Sequence, residues 1–148
     1  MTFEAGEEII TTFTNMAIKV LHLKPEFVDF RGAITRIINE PRIKIQAVLL
    51  LTHKKGTIRG NHYHKKDSHW VYCVSGKFRY YEKDLSKKNT KASSVIIKSG
   101  DLVYSKPGIA HAMKAIVNTV FLAITTEKRQ QKSYENDLVR VDIVGKKA

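Results

Sequence analysis

The sequence contains a single cysteine, Cys73, among its 148 residues. One thiol excludes an internal disulfide and agrees with a reducing compartment. Cys73 lies in the segment His69-Trp70-Val71-Tyr72-Cys73-Val74, whose aromatic and β-branched composition is typical of a strand. We therefore expect Cys73 to be a buried structural residue and not a reactive thiol.

No run of apolar residues is long enough to span a bilayer, and the acidic segment MTFEAGEEII lacks the layout of a signal peptide. These absences predict a cytoplasmic protein with no membrane partner. The sequence also lacks internal repeats, low-complexity tracts and linkers. Its length suits one domain with a core large enough to fold alone, so we expect a single domain over residues 1–148.

Acidic residues are few, with 14 Asp and Glu against 26 Lys and Arg and a formal net charge of +12. The basic residues are scattered along the chain, and no nucleic-acid-binding module accompanies them. We interpret them as solvated surface and do not expect a nucleic-acid partner. Their positive field would help to attract a small anionic substrate.

The sequence has no convincing amphipathic helix of useful length. Short apolar segments alternate with turn signals at regular spacing, which predicts an all-β sandwich or barrel. The most hydrophobic segment, residues 43–52, is apolar on both faces, and we expect a strand that is covered on both sides. Residues 127–133 are expected to form a polar loop. The expected organisation is an N-terminal arm or short edge strand within 1–16 that packs on a partner subunit, a core over about 17–126 and a C-terminal strand over 138–144.

Histidine, in contrast, is concentrated in one segment. His62 and His64 are two positions apart, so on a strand their side chains point to the same face. A short polar turn then allows a hairpin to return His69 toward them, and His111 supplies a fourth imidazole from far along the chain. Four imidazoles that face one interior are costly without a ligand, an anion or a proton-sharing partner.

These residues resemble the cupin family. Gly56, His62, His64, His69 and Gly76 match the spacing of the first cupin motif, with His69 where cupins usually carry Glu. The second motif is matched by Gly100, Pro107, Gly108 and His111, with the Pro and Gly adjacent. The resemblance implies a jelly-roll barrel, also called a double-stranded β-helix, and a homodimer.

A narrower resemblance is to the dTDP-4-keto-6-deoxyhexose 3,5-epimerases and 3,4-ketoisomerases. The segments that carry it are Asp29-Phe30-Arg31-Gly32, Arg59-Gly60-Asn61-His62-Tyr63 and Pro107-Gly108-Ile109-Ala110-His111-Ala112. The resemblance implies that His62 is the catalytic base, that Arg31 and Arg59 hold the substrate in part through its diphosphate, and that no metal is needed. The ketoisomerases carry a His-x-His pair that aligns with His62 and His64. Tyr134 lies in a plausible region for the catalytic acid.

These residues allow two functional hypotheses, a proton-transfer enzyme that needs no metal and a metal-dependent cupin. In the first, a neutral His62 removes a proton next to a ketone of a sugar nucleotide and an acid returns one. In the second, His62, His64, His69 and His111 bind one divalent ion (Zn, Fe, Ni or Cu) in a metal-dependent cupin that is dioxygenase-like or binds small molecules. A barrel that binds a small molecule without catalysis is the third interpretation, because fold alone does not imply function.

Overall fold

A computed structural model of the chain describes residues 7–10 and 18–145. Almost all of its regular structure is β-strand, and every strand pairing is antiparallel. The elements are β1 (Glu7–Ile10), β2 (Lys19–Leu23), β3 (Phe27–Asp29), β4 (Gly32–Ile34), β5 (Ala47–His53), β6 (Ile58–His64), β7 (His69–Ser75), β8 (Lys77–Asp84), β9 (Ser93–Lys98), β10 (Asp101–Ser105), β11 (Ile109–Ala115), β12 (Thr119–Thr125), α1 (Gln131–Asp137) and β13 (Leu138–Arg140).

Two sheets build the barrel. The first has the strand order β1-β2-β10-β7-β12-β5, and the second has the order β13-β6-β11-β8-β9. Strands β3 and β4 form a separate hairpin. The crossovers between sequence neighbours are those of a jelly roll, and the predicted all-β jelly-roll fold is confirmed. Among the described residues, no helix is long and apolar enough to cross a membrane.

The core lies between the two sheets. Val71, Cys73 and Phe121 from the first sheet pack with Phe78 and Tyr80 from the second, and each is at most 1% exposed. Successive side chains along a strand point to opposite faces of its sheet, so every second residue faces the space between the sheets. The apolar residues at these positions fill that space. Cys73 is therefore a buried core residue, as predicted, and burial raises the pKa of its thiol to about 11.

The expectation that residues 43–52 form a strand covered on both sides is wrong. Strand β5 begins at Ala47 and is the last strand of its sheet, and the side chains of Val48 and Leu50 are 62% and 69% exposed. A second apolar cluster on the outer face of this sheet is covered by Ile37, Ile38 and Ile43. Because that cover belongs to a different part of the sheet, one face of β5 stays open within the described structure.

The ends of the chain differ from expectation in detail. β1 pairs with β2 at the edge of the first sheet, which agrees with a short edge strand, and the rest of the predicted arm lies outside the described residues. The predicted C-terminal strand over 138–144 ends at Arg140. The reason is Asn61, whose side chain accepts hydrogen bonds from the backbone N–H groups of Ile143 and Val144 and so replaces strand pairing there.

The prediction that residues 127–133 form a polar loop is partly wrong, because a short helix begins within this segment. α1 spans Gln131–Asp137, has no side-chain N-cap and buries none of its residues. A segment of this length with no apolar stripe carries no periodic signal. Its position over one end of the barrel is set by long-range contacts, which are described below.

Candidate active site

Four histidines from three strands meet inside the barrel. β6 supplies His62 and His64, β7 supplies His69 and β11 supplies His111. The ring centroids of His62 and His111 are 4.7 Å apart, those of His62 and His64 are 4.9 Å apart, and those of His69 and His111 are 4.9 Å apart. The structure thus brings together all four histidines that the sequence singled out.

An irregularity in β6 sets the approach of its histidines to β11. The register between the two strands shifts next to His111, at the point where Gly60 and Asn61 both have positive φ. A Cβ atom on Gly60 would lie 2.8 Å from the backbone oxygen of His111, so only glycine fits between the strands. The bulge lets His62 face the same interior as His111 although the ladder shifts beside it.

His64 has a carboxylate partner on α1. Its Nδ1 lies 3.2 Å from Oδ2 of Asp137, and both side chains are largely buried. The same carboxylate accepts hydrogen bonds from the backbone N–H groups of Lys66 at 2.8 Å and Asp67 at 3.3 Å. Asp137 therefore ties the β6–β7 turn to the helix and directs the Nδ1 edge of His64 away from the cavity.

His69 is backed by a second carboxylate, Asp67, which is 1% exposed. Nδ1 of His69 lies 3.4 Å from Oδ2 of Asp67, close enough for an ion pair if the imidazole is protonated, although the geometry is not that of a hydrogen bond. Asp67 also accepts hydrogen bonds from the guanidinium of Arg129 at 2.7 Å and from the backbone of Thr126 and Glu127. Burial alone would raise the pKa of Asp67, but His69 and Arg129 outweigh it and the pKa lies below its ordinary value.

Three histidines of the cluster, His62, His64 and His111, are neutral at physiological pH. Burial, together with repulsion from neighbouring imidazoles and Arg129, lowers the pKa of His62 to about 3 and that of His64 to about 4. Burial and the other three histidines place the pKa of His111 well below its ordinary value. A neutral imidazole can accept a proton or bind a metal ion, so both hypotheses drawn from the sequence keep the protonation state that they need.

These side chains line a cavity of about 260 Å³. Its polar rim includes Arg59, Arg129 and Tyr134, and its apolar wall comes from the first sheet and from Met113 of β11. The ring centroid of Tyr134 lies 6.1 Å from that of His64 and 6.5 Å from that of His62. The remaining lining residues are Leu49, Leu51, Gly60, His62, His64, His69, Val71, His111, Phe121, Ala123 and Gln131.

Arg129 holds Tyr134 at the cavity. Its guanidinium carbon lies 5.0 Å from the centroid of the Tyr134 ring, a distance at which a cation attracts the face of an aromatic ring. Arg129 is held in turn by Asp67, so the chain Asp67–Arg129–Tyr134 connects the β6–β7 turn to the helix. Two guanidiniums on the rim, from Arg59 and Arg129, suit a cavity that binds an anion.

The structure does not bring Arg31 to the cavity. It lies on the β3–β4 hairpin, where its guanidinium pairs with Asp29 at 2.6 Å and its side chain is 70% exposed. Sequence reasoning missed Arg129, Asp67 and Asp137. Asp67 offered one signal, since it lies in the turn between His64 and His69, but nothing local indicated that residues of the 127–137 segment return to that turn.

Two facing antiparallel sheets with a histidine-lined cavity between them define a protein of the cupin jelly-roll class. Residues 27–138 match the family described as the polysaccharide biosynthesis C-terminal domain. The matched residues make up more than half of the chain. The chain belongs to this family. No curated protein sequence matches it significantly.

Solved structures confirm the fold and its likeness to the epimerases and ketoisomerases. The chain is similar to a dTDP-4-dehydrorhamnose 3,5-epimerase from Sulfolobus tokodaii, with a TM-score of 0.73 and 17% identity over 93% of this chain and 82% of that one. The chain is also similar to an epimerase from Legionella pneumophila in complex with dTDP-4-keto-L-rhamnose. The TM-score is 0.69 and the sequence identity is 19%, over 86% of this chain and 75% of that one. A third similar structure is a double mutant of a 3,4-ketoisomerase from Thermoanaerobacterium thermosaccharolyticum in complex with TDP. The TM-score is 0.63 and the sequence identity is 22%, over 93% of this chain and 89% of that one.

Proposed function

We propose that the chain is an enzyme that epimerises or isomerises a keto-deoxyhexose linked to a nucleotide, by histidine-mediated proton transfer. The observation that carries the proposal is the composition of the cavity, where the neutral imidazoles of His62 and His64 lie near the ring of Tyr134 and two guanidiniums line the rim. Relatives of the same fold have been solved with dTDP-4-keto-L-rhamnose and with TDP. These relatives support a substrate of this class.

The reaction begins with removal of a proton from the carbon next to the ketone, which leaves an enolate. Return of a proton to the opposite face of that carbon inverts its configuration. The ketone moves instead if the former ketone oxygen gains a proton, the hydroxyl on the deprotonated carbon loses its proton, and the former carbonyl carbon is protonated. The family resemblance assigns the base to His62. Asp137 makes His64 the alternative, because a carboxylate on the far nitrogen stabilises the imidazolium that forms.

Tyr134 is the proposed acid. It is the tyrosine that lines the cavity beside His62 and His64, and Arg129 holds its ring in place. A phenol can return a proton to the enolate, and the nearby guanidinium stabilises the phenolate that is left.

Arg59 and Arg129 are the proposed anchors of the diphosphate. The guanidinium of Arg59 donates to the backbone oxygen of Thr52 at 3.0 Å and retains donors that can bind an oxyanion. Arg31 is proposed as a substrate ligand only in a homodimer, where the β3–β4 hairpin of one subunit reaches the cavity of the other. A cytoplasmic location belongs to the same proposal.

Deuterium exchange tests the reaction. In heavy water, dTDP-4-keto-6-deoxyglucose should gain deuterium next to its ketone in the presence of the protein, detected by proton NMR. Substitution of the base, His62→Asn or in the alternative His64→Asn, should abolish this exchange. Both variants should still bind dTDP. His22→Asn, at a histidine outside the cavity, is the control. If dTDP does not bind at millimolar concentration and no dTDP-keto-sugar gains deuterium, the proposed reaction is wrong; dTDP-sugar binding without exchange would indicate a non-catalytic barrel.

Metal binding is the second candidate, and the donor set favours it. One nitrogen from each of His62, His64 and His111 lies within 4.8 Å of the others, and the same holds for His64, His69 and an oxygen of Asp67. Imidazoles at such separations can converge on one ion, for which nitrogen ligands at about 2.0–2.1 Å are expected if the ion is zinc. The residues present therefore fit a metal ion, which would supply Lewis acidity at the cavity.

Elemental analysis of protein purified without a histidine tag tests this candidate. About one equivalent of Zn, Fe, Ni or Cu per chain is expected, and His62→Ala combined with His64→Ala should abolish uptake measured by calorimetry. His22→Ala should leave uptake unchanged. A chelator-treated protein that takes up none of the four ions contradicts the metal hypothesis without affecting the exchange experiment.

A further inference from the structure

A buried carboxylate that the proposed reaction does not use lies behind His111. Glu82 is on β8, opposite His111 on β11, and is 7% exposed. It accepts a hydrogen bond of 3.0 Å from the hydroxyl of Tyr80, whose side chain is fully buried. The Ser105 hydroxyl interacts with the Tyr80 oxygen and opposes the rise in the Tyr80 pKa that burial causes, and Oγ of Ser105 lies 3.2 Å from Nδ1 of His111. These contacts place Tyr80 and Ser105 between Glu82 and His111.

The carboxylate of Glu82 determines which group donates and which accepts in each contact between Glu82 and His111. Burial raises the pKa of Glu82 to about 7, so at pH 8 its carboxylate is mostly ionised and can only accept, and the hydroxyl hydrogen of Tyr80 points to Glu82. The Tyr80 oxygen is then free to accept from the Ser105 hydroxyl, and the Ser105 oxygen to accept from the N–H at Nδ1 of His111. With its hydrogen on Nδ1, a neutral His111 carries its lone pair on Nε2, the nitrogen on the cavity side of the ring.

The arrangement repeats what the other histidines show more directly. Asp137 stands behind Nδ1 of His64, and Asp67 stands behind Nδ1 of His69. Outer carboxylates of this kind fix the tautomer of an imidazole and the orientation of its ring. The ring of Tyr80 also stacks on that of His111, with an angle of 11° between the planes, so the same residue positions His111 by packing and by hydrogen bonding.

We infer that Glu82 is the outer carboxylate of His111 and that it acts through Tyr80 and Ser105 to hold the Nε2 lone pair toward the cavity. Glu82, Tyr80 and Ser105 are positioning residues in this scheme and do not touch the substrate. The inference concerns the hydrogen bonding of the resting protein. It holds whether His111 serves a proton-transfer enzyme or a metal site.

The imidazole nitrogen shifts of His111 test the inference without any substrate. We would record them on ¹⁵N-histidine-labelled, chelator-treated protein at pH 8, with His111 assigned from a His111→Gln spectrum. The expected wild-type signals are a protonated Nδ1 and an unprotonated Nε2. Tyr80→Phe keeps the stacked ring and removes the hydroxyl link, so it should change the ratio of the two tautomers about two- to twelvefold, the range of one net hydrogen bond.

Further variants separate this role from a packing role. Glu82→Leu and Ser105→Ala should move the His111 shifts in the same direction as Tyr80→Phe. Glu82→Gln keeps an acceptor oxygen and should restore most of the wild-type pattern. Tyr81→Phe, at the neighbouring tyrosine on the opposite face of β8, is the matched control and should change nothing.

Two results would overturn the inference. One is a wild-type His111 with its hydrogen on Nε2. The other is a wild-type tautomer ratio that persists in Tyr80→Phe, Ser105→Ala and Glu82→Leu, because the backbone oxygen of Ile109, 3.4 Å from Nδ1, would then suffice to fix the tautomer. Both results are independent of the deuterium-exchange experiment, so failure of the proposed reaction and failure of this inference can be told apart.

Discussion

Each buried imidazole of the cluster needs a reason to be tolerated, because an unpaired polar group in an apolar interior costs free energy. His64 and His111 each have a hydrogen-bond partner at Nδ1, Asp137 and Ser105 respectively, whereas Nδ1 of His69 lies 3.4 Å from Asp67 without a hydrogen bond. Among the described residues, His62 has only ring contacts, with His64, His111 and Tyr134. It is therefore the histidine whose nitrogens are most available to a ligand.

The low pKa values predict a loss of stability in acid. The pKa of His62 is about 3 in the folded chain, against an ordinary value of 6.5. Between these values the unfolded chain binds a proton that the folded chain does not, so the free energy of unfolding decreases as the pH falls below 6.5. At pH 5 the loss from His62 alone is up to about 2 kcal/mol.

Urea unfolding of chelator-treated protein at pH 7 and pH 5 measures this effect. His62→Gln should lose less stability than the wild type over this interval, since glutamine does not titrate. Val117→Thr, which changes an exposed residue outside the cavity that does not titrate, should lose about as much as the wild type. Equal losses in the wild type and His62→Gln would contradict the shifted pKa.

At the scale of elements, α1 is attached to the barrel by polar contacts and not by an apolar face. Asp137 at its end binds the backbone of Lys66 and Asp67 as well as His64, and Arg129 before its start binds Asp67. The helix supplies Tyr134 to the cavity, so these contacts position a proposed catalytic group.

Asp137→Ala should therefore destabilise the protein by about 1–3 kcal/mol, the cost of leaving buried donors without an acceptor. Denaturant unfolding at pH 7 measures this change, and limited proteolysis should locate the first cleavage near residues 127–137. Asp142→Ala, at an exposed aspartate shortly after α1, is the matched control and should stay within about 0.5 kcal/mol of the wild type. A loss no greater than that of the control would show that Asp137 does not hold the helix.

The strands and the meeting of the four histidines could be predicted from the sequence because both follow from a period of two and from motif spacing. The helix could not, because its seven residues bury nothing and its contacts reach back to residues 64–67. The same limit applies to β5, where an apolar run does not state which neighbour covers it. Glu82 reads in the sequence as one polar position in an alternating strand, and only the pairing with β11 places it behind His111.

At the scale of the whole molecule, a group of large apolar side chains is exposed on the β3–β4 hairpin. On the β3–β4 hairpin, Phe27, Val28 and Ile34 are 50%, 68% and 57% exposed, and Phe30 at its tip is 98% exposed. A hairpin that presents four large apolar residues to water is typical of an interaction surface. This exposure supports the proposed homodimer, in which the hairpin also carries Arg31 to the partner's cavity.

The dimer predicts a linked loss of assembly and ligand binding. Phe27→Ser combined with Val28→Thr removes apolar surface from the hairpin and leaves intact the pairing of Arg31 with Asp29 and its contact with the Phe30 ring. Light scattering at micromolar concentration should give a dimeric wild type and a monomeric double variant. If Arg31 acts on the partner's cavity, the double variant and Arg31→Gln should each weaken dTDP binding at least tenfold, whereas Arg31→Gln should remain dimeric.

Val117→Thr, at an exposed valine far along the chain from the hairpin, should change neither property. A wild type that is monomeric at these concentrations, or a double variant that stays dimeric with full affinity for dTDP, would show that the hairpin does not complete the partner's cavity.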